Sequence, residues 1–326
     1  MSIQDSWDKI ITNTFNFKTL TCTLLIEASR LCQDGSNGID TNDFDISFAR
    51  GLSLEDGATT LTDFTASIIG EEISSSILNF DTKIKDILII VNKGQLEQYK
   101  KIIPNGNNLG IKITYKEQDE PRGLPDAFIL GEKFIENKSV AMILGDNFFY
   151  GQNLSSILLN ATKIKEGAGI LLHKVQNPEL FGVAKIDKNK KIILIKEKPK
   201  KFISNDAITG LYFFDKNVVN YAKKLKPSKR GELEIIDLLM KYKNKNKLRA
   251  NYIGRGGAWL DTGSIDDYYK TISFVQAVEN RQGLKIACIE EVALLNKWIN
   301  KENIKRSIKF YGKCQYSDYL KKLLYK

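Results

Sequence analysis

Two short, wholly apolar runs constrain the fold of this chain most: Ile87-Leu88-Ile89-Ile90-Val91 and Val140-Ala141-Met142-Ile143-Leu144. Each is too short for a core helix and has no polar face, which fits a strand buried on both sides. Helical and strand signals lie between them. Residues 95–103 predict a helix stopped near Pro104 and Gly106, residues 111–115 alternate as a strand, and residues 125–134 predict a helix with Ala127, Phe128, Leu130 and Phe134 on its apolar face. This alternation predicts an α/β layer: a mostly parallel sheet flanked by helices, with ligands at the carboxyl ends of its strands.

Strand patterns then crowd the middle of the chain, at residues 169–175, 182–186, 192–195, 207–214 and 249–253, with Asp187-Lys188-Asn189-Lys190 as a hairpin turn. Helices are predicted over 218–225 and 232–242. Gly254-Arg255-Gly256-Gly257 reads as a loop before Trp259. Thr262 or Ser264 is placed to cap a helix running to Asn280, with Asp266 and Asp267 in its favourable first turn. The tail, 290–326, reads as helical, with Trp298, Tyr316 and Tyr319 as packing residues. The chain thus divides into residues 1–82, a core over 83–263, and a C-terminal helical region over 264–326.

Charge marks the first boundary. The chain carries a net charge of +10, yet residues 1–82 hold four basic and thirteen acidic residues, no proline and two lysines. A basic remainder suits an anionic ligand such as a nucleotide or sugar phosphate. Nucleic-acid binding fits less well, because the lysines are scattered and not interleaved with stacking aromatics; most form a solvated surface. No apolar run approaches the roughly 20 residues that span a bilayer, and no secretory signal is visible. Cys22, Cys32, Cys288 and Cys314 form no C-x-x-C pair, which suggests reduced thiols in a cytoplasmic protein. Cys22 and Cys32 as metal ligands weigh less than incidental thiols, since the chain has one histidine, His173, itself read as a packing or surface residue.

Asp146 stands where the 140–144 run meets a loop, and Asp261 ends another apolar stretch; Lys198, after Glu197, lies between them in sequence. Two strand-end carboxylates and a lysine are the parts needed to hold a divalent metal against a nucleoside triphosphate. Singly, each signal is weak. An Asp after a strand is commonly a turn or cap residue, Glu197-Lys198 alone is a solvated pair, Gly123 and Gly182 are ordinary turn glycines, and Arg230 is a surface residue before a helix.

Their co-occurrence is specific. Gln118 followed by Pro121-Arg122-Gly123-Leu124, Leu144-Gly145-Asp146-Asn147, Phe181-Gly182-Val183, Glu197-Lys198-Pro199, Thr209-Gly210-Leu211-Tyr212, Arg230-Gly231-Glu232-Leu233-Glu234, Trp259-Leu260-Asp261-Thr262-Gly263 and Arg281-Gln282-Gly283-Leu284 follow one another in order. From about Lys83 onward the chain resembles the glucose-1-phosphate thymidylyltransferases, sugar nucleotidyltransferases that make dTDP-glucose. The resemblance implies a Rossmann-like nucleotidyltransferase sheet, a small β-rich sugar-binding part and C-terminal helices. It also implies in-line attack of glucose-1-phosphate on the α-phosphorus of dTTP. By carry-over, Asp146 and Asp261 hold Mg²⁺, and Lys198 contacts the phosphate of the sugar phosphate. Glu197 accepts hydrogen bonds from glucose hydroxyls. Gln118 reads the thymine edge with Gly123 and Leu124 beside the base, Gly182, Ile208, Thr209 and Gly210 line the sugar pocket, and Arg230 faces the phosphates. A homotetramer built partly through the C-terminal helices, with feedback by a downstream dTDP-sugar, is also implied, without nucleic-acid or membrane partners. A non-catalytic sugar-nucleotide-binding protein, or a transferase for another base or hexose-1-phosphate, are the rival readings.

The chain departs from the family's pattern at several points. Phe181 stands where tyrosine is common, and Pro125-Asp126 replaces the usual Ala-Gln. The family's opening G-G-x-G-T-R loop and K-Q-L-L-P segment do not occur; the nearest string, Asp56-Gly57-Ala58-Thr59-Thr60-Leu61, lacks the second glycine and the arginine. Loss of one preorganised donor at developing charge costs about 3 kcal/mol, and loss of a whole phosphate loop more. Three explanations stand open: an unrelated segment on a truncated enzyme, a shifted reading frame joined near Lys83, or a cradle rebuilt from different residues.

Overall fold

A computed structural model describes residues 86–102, 105–151 and 154–325. The expectations placed on residues 1–82, the phosphate loop and Cys22 and Cys32 among them, lie outside the described residues. The first apolar run forms β1 (Asp86–Asn92), which pairs in parallel with β2 (Lys112–Gln118) after crossing over through α1 (Leu96–Ile102). The helix expected over 125–134 forms as two short pieces, α2 (Asp126–Leu130) and α3 (Glu132–Ile135). Gly131 interrupts it, the residue of least helical preference after Pro125, which stands at the start of the run where proline is tolerated.

The larger sheet is built around a central strand. β3 (Val140–Ile143), β5 (Ala168–Lys174) and β6 (Gly182–Ile186) all pair with β8 (Asp206–Phe214), which is buried along its whole length. β7 (Ile192–Glu197) returns on β6 through the expected turn, where the Asp187 carboxylate accepts from the Asn189 and Lys191 N–H groups. β9 (Leu248–Tyr252) lies parallel to β5. A separate antiparallel pair joins β4 (Asn147–Tyr150) to β10 (Ala258–Asp261). Only β1·β2 and β5·β9 run parallel among the described strands, so the expectation of a mostly parallel sheet is corrected to a mixed one. Burial on both faces makes a strand apolar whatever its direction, and β8 received its antiparallel neighbours without any change in composition.

Helices cover both faces of this sheet. On one side Leu171, Leu211 and Phe213 pack with Phe148, Phe149 and α4 (Leu154–Thr162) and with Val275 of α7 (Ile265–Gln282). On the other, Ile170, Leu172, Tyr212 and Phe214 pack against Phe128, α5 (Val218–Ala222) and α6 (Ile235–Lys243). Ser264 caps α7, its hydroxyl accepting from the Asp267 N–H. The tail forms α8 (Ile289–Leu295), α9 (Lys301–Tyr311) and α10 (Gln315–Leu323) around Cys288, Ile304, Tyr319 and Leu320, with Trp298 and Tyr316 packed against them. No helix among the described residues is long and apolar enough to cross a membrane.

Asp215, just past β8, ties these layers together. Its carboxylate accepts from the Gly167 N–H at 2.7 Å, the Asn217 N–H and side-chain amide at 2.9 and 3.1 Å, and the Tyr242 hydroxyl at 3.0 Å. Burial opposes its charge, but these donors outweigh it and hold the carboxyl below its ordinary value of 3.8. A depressed acid contributes stability above its ordinary pKa and loses it as pH falls through the folded value. Asp215→Ala strands several buried donors and is expected to cost about 2–4 kcal/mol in urea unfolding at neutral pH. A change below about 0.5 kcal/mol, no more than an ordinary surface substitution gives, would contradict this role.

Candidate functional site

The register of β4 on β10 opposes Asn147 to Asp261 and so brings the β3–β4 turn, which carries Asp146, beside the end of β10. Thr262 secures the junction from the other side: its N–H and hydroxyl both donate to the Asp146 carbonyl, at 2.7 and 3.1 Å. That contact explains why Ser264, and not Thr262, caps α7. The Asp261 carboxylate accepts from the Gly263 N–H at 2.9 Å.

The side chain of Asn147 organises the centre. Its Nδ2 donates to Asp146 Oδ1 at 2.6 Å, while its Oδ1 accepts from the Gly210 N–H at 2.8 Å and the Trp259 indole N–H at 2.6 Å. Gly210 lies in a bulge: Ile170 pairs with Tyr212 but Leu172 with Ile208, so β8 slips register there. Bulges re-aim backbone groups next to sites of function. The glycine is required by close approach, since a Cβ would stand 2.6 Å from the Asn147 carboxamide.

The end of the β6–β7 hairpin forms the next wall. Gly182 opposes Glu197 in register, and a Cβ on Gly182 would lie 3.0 Å from Glu197 Oε2. Lys198 follows at φ 39°, a left-handed conformation that a non-glycine residue rarely adopts, and its N–H is pinned to the Phe181 carbonyl at 3.0 Å. Phe181 uses its ring for packing, edge-on to Trp259 at 5.2 Å, a contact that needs no hydroxyl.

Charge links these pieces. Burial first, and then the Asp146 charge, raise the Asp261 carboxyl to about 7, against the Gly263 N–H and Lys198, which pull it down. Asp146 is raised by burial against the bond from Asn147. Desolvation likewise raises Glu197; Lys198 and Arg230 draw it down and Glu234 pushes it up. Tyr212, buried on β8, is driven far above its ordinary range by desolvation and then by Glu197, Asp146 and Asp261. Asp146, Asp261, Lys198 and Glu197 therefore share one field.

Arg230 reaches that field through its charge on Glu197. Gly123 adopts φ 92° and packs so closely on the segment before α6 that a Cβ would meet the Leu233 carbonyl at 2.1 Å. Leu233 N–H also donates to the Arg122 carbonyl, which fastens the 119–125 loop to the Glu232–Glu234 stretch. Leu124 packs against the core cluster on the α6 side of the sheet. Gln118 ends β2, is 4% exposed, and donates from Nε2 to Asp126 at 2.8 Å. Arg230 is held by Glu234 through bonds of 2.8 Å from Nη2. Ile208 is buried on β8. Thr209 is fully buried, and its hydroxyl has no partner among the described residues. His173 is a packing residue, its ring edge-on to Trp259 at 6.2 Å.

Sequence reasoning passed over Asn147, Thr262, Tyr212 and Asp126 as individual contributors, although all lie in or beside the quoted motifs. The available signal was chemical: Asn147 is the one residue of its motif able to donate and accept together.

The nucleotidyl transferase family matches residues 63–278, beginning before Lys83, where the motifs placed the start. A glucose-1-phosphate thymidylyltransferase from Neisseria meningitidis is 44% identical over 243 residues, 74% of this chain and 84% of that protein. A Bacillus anthracis protein assigned as a glucose-1-phosphate thymidylyltransferase and solved with sucrose superposes with a TM-score of 0.56 at 37% identity, covering 64% of this chain and 81% of that one. A UDP-glucose pyrophosphorylase solved with UDP-glucose, 20% identical with a TM-score of 0.52 over 66% of this chain and 87% of that one, shares the fold. With its mixed sheet flanked by helices and this spread of likeness, the chain belongs to the nucleotidyl transferase family, with glucose-1-phosphate thymidylyltransferases among its relatives.

Proposed function

We propose that this chain transfers dTMP from dTTP to glucose-1-phosphate, giving dTDP-glucose and pyrophosphate, with Mg²⁺ as cofactor. The observation that carries the reading is the convergence of Asp146, Asp261 and Lys198 in one field on the sheet of a nucleotidyl transferase. The donor set fits the ion. Mg²⁺ is usually held through one or two protein carboxylates, with water and phosphate oxygens completing its shell. Asp146 and Asp261 would hold it; when bound, the ion neutralises charge shared by the two phosphates.

The chain's own groups do the rest. Lys198, fixed by its pinned backbone, is suited to the phosphate of the sugar phosphate. Glu197 beside Gly182 offers acceptors to sugar hydroxyls, and the absent Cβ of Gly182 leaves room for them. Arg230 exchanges Glu234 for phosphate oxygens. Gln118 and the loop of Gly123 and Leu124 face the base. Since the attacking oxygen belongs to the sugar phosphate, alignment and charge neutralisation suffice and no protein nucleophile is needed. A cytoplasmic homotetramer acting on these small-molecule substrates completes the reading.

Pyrophosphate release from dTTP plus glucose-1-phosphate and Mg²⁺ is expected, with kcat/KM reduced about 100-fold or more in Asp146→Asn and in Asp261→Asn. A chain that binds dTDP-glucose but releases no pyrophosphate would replace this reading with the non-catalytic one, and a nucleotide and hexose-phosphate panel exposes another specificity. A second expectation follows from the raised carboxyls. Their contribution to stability is fully present below the ordinary value of 3.8 and is lost as pH rises through the folded values, about 7 for Asp261. Mg²⁺ binds the ionised pair, so its gain in melting temperature should be larger at pH 8 than at pH 5.5. Equal gains at both pH values would exclude the pair as the metal site.

A further inference from the structure

Asp126 is a buried carboxylate, 4% exposed, that none of the steps above uses. It opens α2, and the loop from Gln118 to Pro125 folds it back onto the end of β2. There it accepts from Gln118 Nε2 at 2.8 Å, with Arg122 Nε 3.6 Å from the same carboxylate oxygen. The loop has little freedom to move away. Gly123 is wedged on the Leu233 carbonyl, the Arg122 carbonyl is bonded to Leu233, and the Asp126 N–H donates to the Gly123 carbonyl at 3.1 Å.

The partner's chemistry fixes the amide. An ionised carboxylate offers acceptors alone, so only the NH₂ end of Gln118 can face it. An Asn or Gln at position 126 would both donate and accept, and would leave Gln118 free to stand either way round. With Asp126 present, Gln118 Oε1 and the second Nε2 hydrogen are the groups left over, and neither has a partner among the described residues. Together they form an acceptor–donor pair on a buried side chain at the carboxyl end of a strand.

We propose that Asp126 is the positioning residue for base selection: by holding the amine end of Gln118 it presents an acceptor–donor pair that matches the imide edge of thymine or uracil and rejects cytosine. Thymine and uracil offer N3–H beside a carbonyl, which complements Oε1 beside N–H. Cytosine offers an N3 acceptor beside an N4 donor, the reverse pattern. To meet it, the amide must turn over and set Oε1 against the Asp126 oxygen with no hydrogen between them. The device does not see the thymine methyl, so it separates cytosine from thymine and uracil but not those two from each other. This inference rests on the nucleotidyltransferase reading above and deepens it.

The test is kcat/KM for pyrophosphate release with dTTP, dUTP and dCTP, glucose-1-phosphate and Mg²⁺, in the wild type, Asp126→Asn, Gln118→Met and the double variant. Asp126→Asn should lower the dTTP/dCTP ratio by about 10-fold or more, the scale on which one bidentate base contact discriminates. The dTTP/dUTP ratio should stay constant. In the Gln118→Met background the change at position 126 should leave the dTTP/dCTP ratio where it is, as two residues acting through one contact must. A merely structural role for Asp126 moves all three nucleotides together. Should Asp126→Asn fail to fold, Asp126→Gln makes the same comparison. An unchanged dTTP/dCTP ratio in an active, folded variant, or an equal change with Gln118→Met, overturns the inference and leaves the thymidylyltransfer reading intact. A wild-type chain that turns over none of the three overturns both.

Discussion

The carboxamide of Asn147 is the joint on which the site depends. One small side chain ties together the β3–β4 turn, the β8 bulge and β10, through Asp146, the Gly210 N–H and Trp259. Each partner comes from a different stretch of the chain, with Gly210 and Trp259 lying 63 and 112 residues away in sequence. A residue that only donated or only accepted would leave at least one of these groups unpaired in a buried place, at the full cost of its desolvation. The two acidic groups are therefore delivered by the sheet's own hydrogen bonding and not by a flexible loop.

Bringing them together is unfavourable in itself. Burial raises both carboxyls, the Asp146 charge adds to the rise at Asp261, and Lys198 relieves Asp261 only in part. The fold tolerates this because it is well supported elsewhere: β8 is buried from end to end, apolar clusters lie on both faces, and Asp215 fastens the layers beneath. Such an arrangement is poorly satisfied alone, and a cation held by the two carboxylates would satisfy it. In the proposed reaction, binding would relieve an unfavourable charge already present in the free protein.

Much of this was legible in the sequence, for identifiable reasons. β1, β3 and the strands from β5 to β9 announced themselves through short apolar or alternating runs, and Ser264 with Asp266 and Asp267 marked the start of α7. Asp146, Asp261 and Lys198 stood out because their residue types suit one chemistry. Strand direction was not legible, since a strand buried on both faces has the same composition either way. Neither was the bulge at Gly210, which depends on partners from β3, β5 and Asn147, nor the break at Gly131. β4 was hidden because its residues read first as a motif. The partnership of Gln118 with Asp126 was invisible for another reason: it depends on how the Gly123 loop seats against Leu233, a contact made across more than a hundred residues.

The central claim is that Asp146 and Asp261 form one hard-cation site. Mn²⁺, which takes the same oxygen ligands as Mg²⁺ and is visible by electron paramagnetic resonance, tests it directly when titrated into the chain at pH 8. The account predicts a bound ion in the wild type whose affinity falls in both Asp146→Asn and Asp261→Asn while the fold is retained. Binding that is indifferent to either substitution, or that responds to one alone, would contradict it.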